Sequence, residues 1–160
     1  VSELVELNLF EELVLDRRKY LRTDDSHEQI WEKAKPYLKN PVKQEIWVRK
    51  PIHLPVSEKY IAGISALSEL TMINSDSENF YALSPNRWKE MKEKIVALPE
   101  KEPGSTCYQI WAYEPKMYRV NSNTNHSSCV DTPSLWLSFR DNPDSRIQLA
   151  LKDLEKEFSW

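Results

Sequence analysis

The chain has 160 residues, of which 40% are apolar and 29% are charged, and its net charge is −3. A chain of this length and apolar content fits one ordinary globular domain with a substantial core. The net negative charge argues against a general affinity for nucleic acid, which needs concentrated lysine and arginine. No apolar run approaches the roughly 18 residues that a membrane span requires, so we expect no membrane association.

The cysteines indicate the cellular compartment of the protein, and the two ends of the chain indicate whether the sequence is a fragment. Cys107 and Cys129 form neither a disulfide framework nor a metal-binding knuckle. We expect two reduced thiols in a cytoplasmic protein, with one bridge between them as the alternative. The sequence starts at Val1 within a helical pattern and stops at Trp160 directly after another. We therefore predict that residues 1–160 form a single globular domain, a fragment or module of a longer protein.

A first helix is predicted over residues 2–21. Its apolar positions cover more than the single stripe that a surface helix needs. These positions are Leu4, Leu7, Leu9, Phe10, Leu13, Val14 and Leu21. We expect part of this face to meet a protein partner or a second copy of the chain, with Leu9 and Leu13 at the contact. Trp47 and Trp160 are further candidates for an exposed partner surface.

The next elements follow from apolar periodicity and from capping residues. Ser26 can cap a second helix, which Pro36 bends or ends. The alternating segment "QEIWVR" at residues 44–49 is typical of a strand. A third helix is predicted to open at Ser57 and to include the small residues of "YIAGISALSEL", residues 60–70.

The segment "NFYALSPNRWKEMKEKI", residues 79–95, predicts a strand followed directly by a helix. Ser84 is placed to cap that helix, with Pro85 at its first position. A helix N-terminus can hold an anion, and Arg87 and Lys89 lie in the first turn. We interpret this joint first as a structural cap, and we keep Ser84, Arg87 and Lys89 as a candidate anion-binding site.

The last third of the chain predicts a central strand and a final helix. The segment "CYQIWAYE", residues 107–114, is apolar on both faces, as expected for a strand covered on two sides, and "KMYRV", residues 116–120, is predicted to pair with it. Residues 134–140 fit either a strand or a helix, and the final helix begins at residues 142–144. The periodic apolar faces together predict a core that includes Phe10, Ile61, Leu67, Trp88, Ile95, Ile110, Leu137, Leu151 and Leu154.

This order of elements predicts an α+β or mixed α/β domain with a small sheet of three to five strands and about five helices. Its two glycines, Gly63 and Gly104, are too few for a P-loop or a dinucleotide-binding fingerprint. Histidine and cysteine pairs at zinc-binding spacing are missing as well. We therefore predict no cofactor and no metal site.

Two clusters of polar residues suggest functions that compete with simple structural roles. His126, Cys129 and Asp131, with Asp141 and Asp144 further on, are candidates for an enzyme site of Cys/His or carboxylate type around residues 126–146. The carboxylates equally suit a helix cap with its ion pairs. A basic run is the candidate for a nucleic-acid contact, although nearby aspartates favour a solvated surface. It consists of Arg17, Arg18, Lys19 and Arg22.

The segment "YIAGISALSEL" resembles the effector halves of bacterial regulators that carry a separate DNA-binding head. The resemblance covers about a dozen residues and contains no specific motif, so it implies no activity by itself. The preferred prediction is a non-catalytic regulatory or protein-interaction module of a longer bacterial-type protein. The alternatives are the enzyme with a site around residues 126–146 and an accessory domain that binds nucleic acid.

Overall fold

The computed structural model describes residues 2–74, 79–115, 117–118, 128–156 and 158. Contacts divide the chain into two compact units, residues 1–39 with 159–160, and residues 40–158. The assignment of residues 1–160 to a single domain stays a prediction. None of the described helices is long and apolar enough to cross a membrane.

The first unit contains a β-hairpin between two helices. Its elements are α1 (Ser2–Glu6), β1 (Glu11–Leu15), β2 (Arg18–Arg22) and α2 (His27–Ala34). The two strands are antiparallel and pair Glu11 with Arg22 at the open end and Leu15 with Arg18 at the turn. The hairpin, residues 11–22, is a two-stranded sheet of its own.

The prediction of a helix over residues 2–21 is wrong beyond Glu6. Asn8 has a φ of 54°, in the left-handed region that asparagine tolerates, and α1 has ended before it. Asp16 and Arg17 also have positive φ, at 48° and 63°. Two successive residues with positive φ form the type of two-residue turn that matches the twist of an antiparallel hairpin. The chain therefore reverses where the sequence suggested a continuous helix.

Helix α2 begins as predicted. The Ser26 hydroxyl accepts a hydrogen bond from the Gln29 amide at 3.2 Å, and the Gln29 side chain accepts one from the Ser26 amide at 2.8 Å. This reciprocal capping box satisfies two amides that no helical carbonyl can reach. Trp31 is the buried residue of the helix.

The second unit is built on a six-stranded mixed sheet with the strand order β3-β6-β5-β4-β8-β7. Its strands are β3 (Val42–Val48), β4 (Tyr60–Ile61), β5 (Asn79–Leu83), β6 (Thr106–Trp111), β7 (Met117–Tyr118) and β8 (Cys129–Val130). The pairs β5–β6 and β4–β8 are parallel, and the other neighbours are antiparallel. Every residue of β6 is buried, which confirms the prediction of a central strand at this position.

Four α-helices complete the second unit: α3 (Gly63–Leu70), α4 (Pro85–Met91), α5 (Thr132–Phe139) and α6 (Ser145–Lys156). Short 3-10 turns lie at Val56–Glu58 and Lys92–Lys94. Helix α4 follows β5 and contacts β6, whereas α3, α5 and α6 contact one another. Strand β5, helix α4 and strand β6 thus form a parallel crossover of the kind expected in α/β structure.

The predicted mixture of helices and a small sheet is confirmed, with differences in detail. Three of the six strands have only two residues, and Tyr60 and Ile61 belong to one of them rather than to the third helix. The ambiguous segment at residues 134–140 is helical as far as Phe139. Strand β7 pairs with β8 and not with β6, so the predicted partner of "KMYRV" is wrong.

One core cluster of the second unit lies between the sheet and α4. It consists of Ile46, Val48, Leu54, Leu83, Tyr108 and Ile110, with Ile52, Tyr81, Trp88, Met91 and Ile95 packed against it. On the sheet these residues alternate with Trp47, Phe80 and Cys107, which point to the opposite face. Gly63 has a φ of 52°, and a Cβ atom there would lie 2.8 Å from the ring of Phe80. This position therefore needs glycine for both backbone and packing reasons.

Candidate functional site

The hairpin exposes apolar side chains on both of its faces. Because cross-strand partners share a face, Leu13, Leu15 and Tyr20 lie on one face and Val14 and Leu21 on the other. Val14 and Leu15 are 62% and 60% exposed, and Tyr20 and Leu21 are also exposed. A lone two-stranded hairpin is at best marginally stable in water, so these side chains form a surface that a further strand or chain would stabilise.

The open edge of β1 carries backbone groups that β2 does not use. The two-residue turn makes Leu15 and Arg18 a hydrogen-bonded pair, and such pairs alternate along an antiparallel ladder. Leu13 and Glu11 therefore also direct their amides and carbonyls at β2. Glu12 and Val14 direct theirs away from it, to the edge that has no strand partner in the described chain.

The residues predicted at a partner surface lie in different surroundings. Leu9 is buried just before β1, and Leu13 is half-buried on β1. The Trp47 ring packs edge-on against Phe80 with centroids 5.4 Å apart, which covers part of the indole. Trp160 lies outside the described residues. Of the two leucines predicted at the contact, Leu13 lies on the hairpin and Leu9 precedes it, because α1 does not extend to these positions, and the contact itself stays a prediction.

The basic residues proposed to contact nucleic acid do not share one face. Arg17 lies in the turn, Arg18 and Arg22 lie on one face of β2, and Lys19 lies on the other. Lys19 Nζ is 2.8 Å from a carboxylate oxygen of Glu12, and Arg22 pairs with an aspartate two residues later. Two of the four charges are thus paired, and no continuous positive face is formed within the hairpin.

The strand–helix joint has the predicted cap. The Ser84 hydroxyl accepts a hydrogen bond from the Arg87 amide at 3.2 Å, and Pro85 begins α4. The Arg87 guanidinium lies between two carboxylates: its Nε is 2.9 Å from Glu58 and its Nη1 is 2.9 Å from Glu90. The Glu58 contact is an ion pair by distance without an aligned hydrogen bond. Lys89 is exposed on the same helix.

The charges around the joint do not favour the predicted anion. A cleft of about 310 Å³ opens there, lined by Glu58, Tyr60, Leu83, Ser84, Asn86, Arg87, Glu90 and Glu114. Three carboxylates face one guanidinium, so the lining is net negative. Burial, followed by the nearby Glu114 and Glu58 carboxylates, raises the pKa of Tyr60. Anion binding by Ser84, Arg87 and Lys89 stays an untested prediction, and the geometry assigns Ser84 and Arg87 to the cap and the ion pairs.

The residues of the alternative enzyme site have structural partners. The Cys129 sulfur lies 3.5 Å from a Glu69 oxygen, and burial together with that carboxylate raises the pKa of the thiol to about 12. A protonated thiol is a poor nucleophile. Asp131 caps α5 by accepting a hydrogen bond from the Ser134 amide at 2.9 Å. His126 lies outside the described residues.

The remaining carboxylates of that region lie at the start of α6. Asp144 accepts a hydrogen bond from the Arg146 amide at 2.8 Å and pairs with the Arg146 guanidinium at 2.9 Å, contacts that lower its pKa. Asp141 pairs with Arg140 at the surface. Within the described part of the chain, no group of three or more histidine, cysteine, aspartate or glutamate side chains is placed to hold a metal ion.

Sequence reasoning missed the hairpin because its signal is weak. The strongest short-range signal of a two-residue hairpin is Asn-Gly or Asp-Gly, and here the turn is Asp16-Arg17. The remaining signal is a difference in charge between the two strands: Glu11 and Glu12 lie on β1, and basic residues lie on β2. Comparison of the chain with protein-family models, curated proteins and solved structures gives no significant match.

Proposed function

We propose that the chain is a non-catalytic regulatory or protein-interaction module that associates with a second copy of itself through the open edge of β1. The observation that carries this proposal is the hairpin, whose β1 edge has no strand partner among the described residues and whose apolar side chains are exposed. An exposed apolar strand edge is a template for pairing with another strand. Paired hairpins would form a four-stranded sheet, above the number of strands needed for independent stability.

The charges on the two strands favour self-pairing through the β1 edge over self-pairing through the β2 edge. If two β1 strands pair antiparallel in full overlap about Leu13, Glu11 lies opposite Leu15 and Glu12 lies opposite Val14, with no pair of like charges. The same overlap of two β2 strands, centred on Tyr20, places arginine opposite arginine, which is destabilising. The backbone groups that face outward on β1 are those of Glu12 and Val14, and these two residues would exchange hydrogen bonds in this register.

The self-pairing also joins apolar surface. Leu13, Leu15 and Tyr20 of each copy would meet on one face of the four-stranded sheet. The Glu12 carboxylate does not oppose this, because it is paired with Lys19 of its own chain. A cytoplasmic location is proposed on the basis of the two free, buried cysteines. The origin in a longer bacterial-type protein stays a prediction from sequence.

Two substitutions that introduce charges of opposite sign at Val14 test the proposed register. Val14→Glu places a carboxylate opposite Glu12 of the second copy, and Val14→Lys places an ammonium there. Because each change occurs twice in the dimer, we expect the lysine variant to associate more tightly by about 2 kcal/mol, or tenfold to thirtyfold. Sedimentation equilibrium of both variants and of the unchanged chain measures this difference.

The two substitutions should change the stability of the hairpin in the opposite order from association, so that an effect on folding can be distinguished from an effect on association. Val14 lies opposite Lys19 of its own chain, so Val14→Glu adds an attractive pair within the hairpin and Val14→Lys adds a repulsive one. The matched control is Val56→Glu, because Val56 is 83% exposed and lies in another unit. A chain that stays monomeric at all concentrations, or equal association of the two Val14 variants, would contradict the proposal.

A further inference from the structure

We propose that a groove in the second unit binds an anionic amphiphile, a molecule with an apolar tail and one negatively charged head group. The groove, which we call the amphiphile groove, has a volume of about 550 Å³. It is lined by Val48, Arg49, Lys50, Pro51, Ile52, Met91, Lys94, Ile95, Val96 and Leu98. This volume lies in the range of sites that enclose small organic ligands.

The floor of the groove is part of the folded core and is therefore held in place. Ile52, Met91 and Ile95 pack against the core cluster below α4. The Ile52 amide donates a hydrogen bond to the Tyr108 hydroxyl at 2.9 Å, which fixes the chain that leaves β3. On the far wall, the Leu98 amide donates to the Trp47 carbonyl at 2.8 Å. One wall is thus hydrogen-bonded to β6 and the other to the neighbouring strand β3, so both walls are attached to the central sheet.

The inside of the groove is apolar, and part of its apolar surface is exposed. Seven of the ten lining residues are apolar, and Val96 is 86% exposed. Burying such surface against an alkyl chain is favourable at roughly 25 cal/mol per Å². These properties select a ligand with a flexible apolar body over a polar metabolite.

The charges of the groove select the sign of the head group. Its three charged lining residues are Arg49, Lys50 and Lys94, and its lining includes no carboxylate from the described residues. Arg49 is held by Glu102 through contacts of 2.7 Å and 3.1 Å and is therefore neutralised. Lys50 and Lys94 make no ion pair within the described part of the chain, so their charges are available to a carboxylate at the rim.

Titration with two single-chain amphiphiles of the same length tests the proposal. Decanoate carries a carboxylate, and decyltrimethylammonium carries a cation on the same tail. Isothermal titration calorimetry below the micelle concentration should show one saturable decanoate site. The cationic amphiphile should bind at least tenfold more weakly. Methyl NMR signals of Ile95 and Met91 should move during the decanoate titration, which places the ligand in the groove.

Variants separate the groove from general surface binding. Val96→Glu should weaken decanoate binding at least tenfold, and Val56→Glu, a change at an equally exposed valine outside the groove, should not. Lys50→Glu and Lys94→Glu should each weaken decanoate binding about fivefold. The absence of saturable binding would overturn the proposal. Equal affinities for the two amphiphiles, or equal effects of Val96→Glu and Val56→Glu, would overturn it as well.

Discussion

At the scale of single residues, local contacts were readable from the sequence and distant ones were not. Ser84 and Ser26 accept hydrogen bonds from amides three residues ahead, a spacing that the sequence displays directly. The carboxylate that meets Arg87 from outside its helix, Glu58, lies 29 positions earlier and comes close only through the fold. The sequence-based prediction of an anion site therefore did not include the carboxylates that the fold brings close to Arg87.

Tyr108 illustrates a long-range contact with a measurable consequence. Its buried hydroxyl accepts a hydrogen bond from the Ile52 amide at 2.9 Å and lies 3.4 Å from the Ile52 carbonyl, and burial raises its pKa. Tyr108→Phe removes the hydroxyl and leaves a partly buried amide without its acceptor. We expect the free energy of unfolding in urea to fall by about 1–3 kcal/mol.

The matched control is Tyr37→Phe, because Tyr37 is 60% exposed. Loss of a solvent-exposed hydroxyl should change the free energy of unfolding by less than about 0.5 kcal/mol. Similar effects of the two substitutions would show that the contact between Tyr108 and Ile52 does not stabilise the fold.

At the scale of elements, the first forty residues show where a periodic pattern misleads. Leucines and phenylalanine at three- and four-residue spacing fit a helix over residues 2–21, but a short apolar run such as residues 13–15 does not by itself distinguish a helix from a strand. Tertiary structure resolves the ambiguity in favour of β1 and β2, through positive φ at Asn8, Asp16 and Arg17. Long elements with strong patterns, such as β6 and α6, were predicted correctly.

The substitution Arg17→Gly distinguishes a hairpin at residues 11–22 from a helix. Arg17 has a φ of 63°, which costs a non-glycine residue roughly 1–2 kcal/mol. Arg17→Gly should therefore stabilise the hairpin, after the entropic cost of glycine, by about 0.5 kcal/mol. Amide hydrogen exchange in β1 and β2 should then slow about twofold.

A glycine substitution inside a helix should lower stability, whereas Arg17→Gly should raise it. Glu32→Gly in α2 should destabilise that helix by about 1 kcal/mol, because glycine is a poor helix former. Faster exchange of the β1 amides in the Arg17→Gly variant would indicate that residues 11–22 form a helix.

At the scale of the whole molecule, burial was easier to predict than connectivity. Among the nine residues predicted to be in the core, Leu67, Ile110, Leu137, Leu151 and Leu154 are buried. The others are half-buried: Phe10, Ile61, Trp88 and Ile95. The strand order β3-β6-β5-β4-β8-β7 does not follow the chain. Neighbours in such a sheet are chosen by packing between distant segments, which one sequence does not display.

The amphiphile groove and the open hairpin edge follow from that long-range arrangement. The groove brings residues 48–52 together with residues 91–98, which lie about forty positions apart in the chain. The open edge depends on the reversal at Asp16 and Arg17. Neither surface has a compact sequence motif, and both are visible only once the elements are placed.

An intermolecular disulfide at Leu13 tests the central claim most directly. In the proposed register Leu13 lies opposite Leu13 of the second copy in a non-hydrogen-bonded pair, with Cα atoms about 4.5 Å apart, within disulfide range. Leu15 would lie about 14 Å from its own counterpart, from a four-residue offset combined with the inter-strand spacing. Because the native cysteines Cys107 and Cys129 are buried, mild oxidation followed by non-reducing electrophoresis reads out the introduced thiol. Leu13→Cys should give a covalent dimer and Leu15→Cys should not; equal cross-linking of the two variants, or none, would contradict the account.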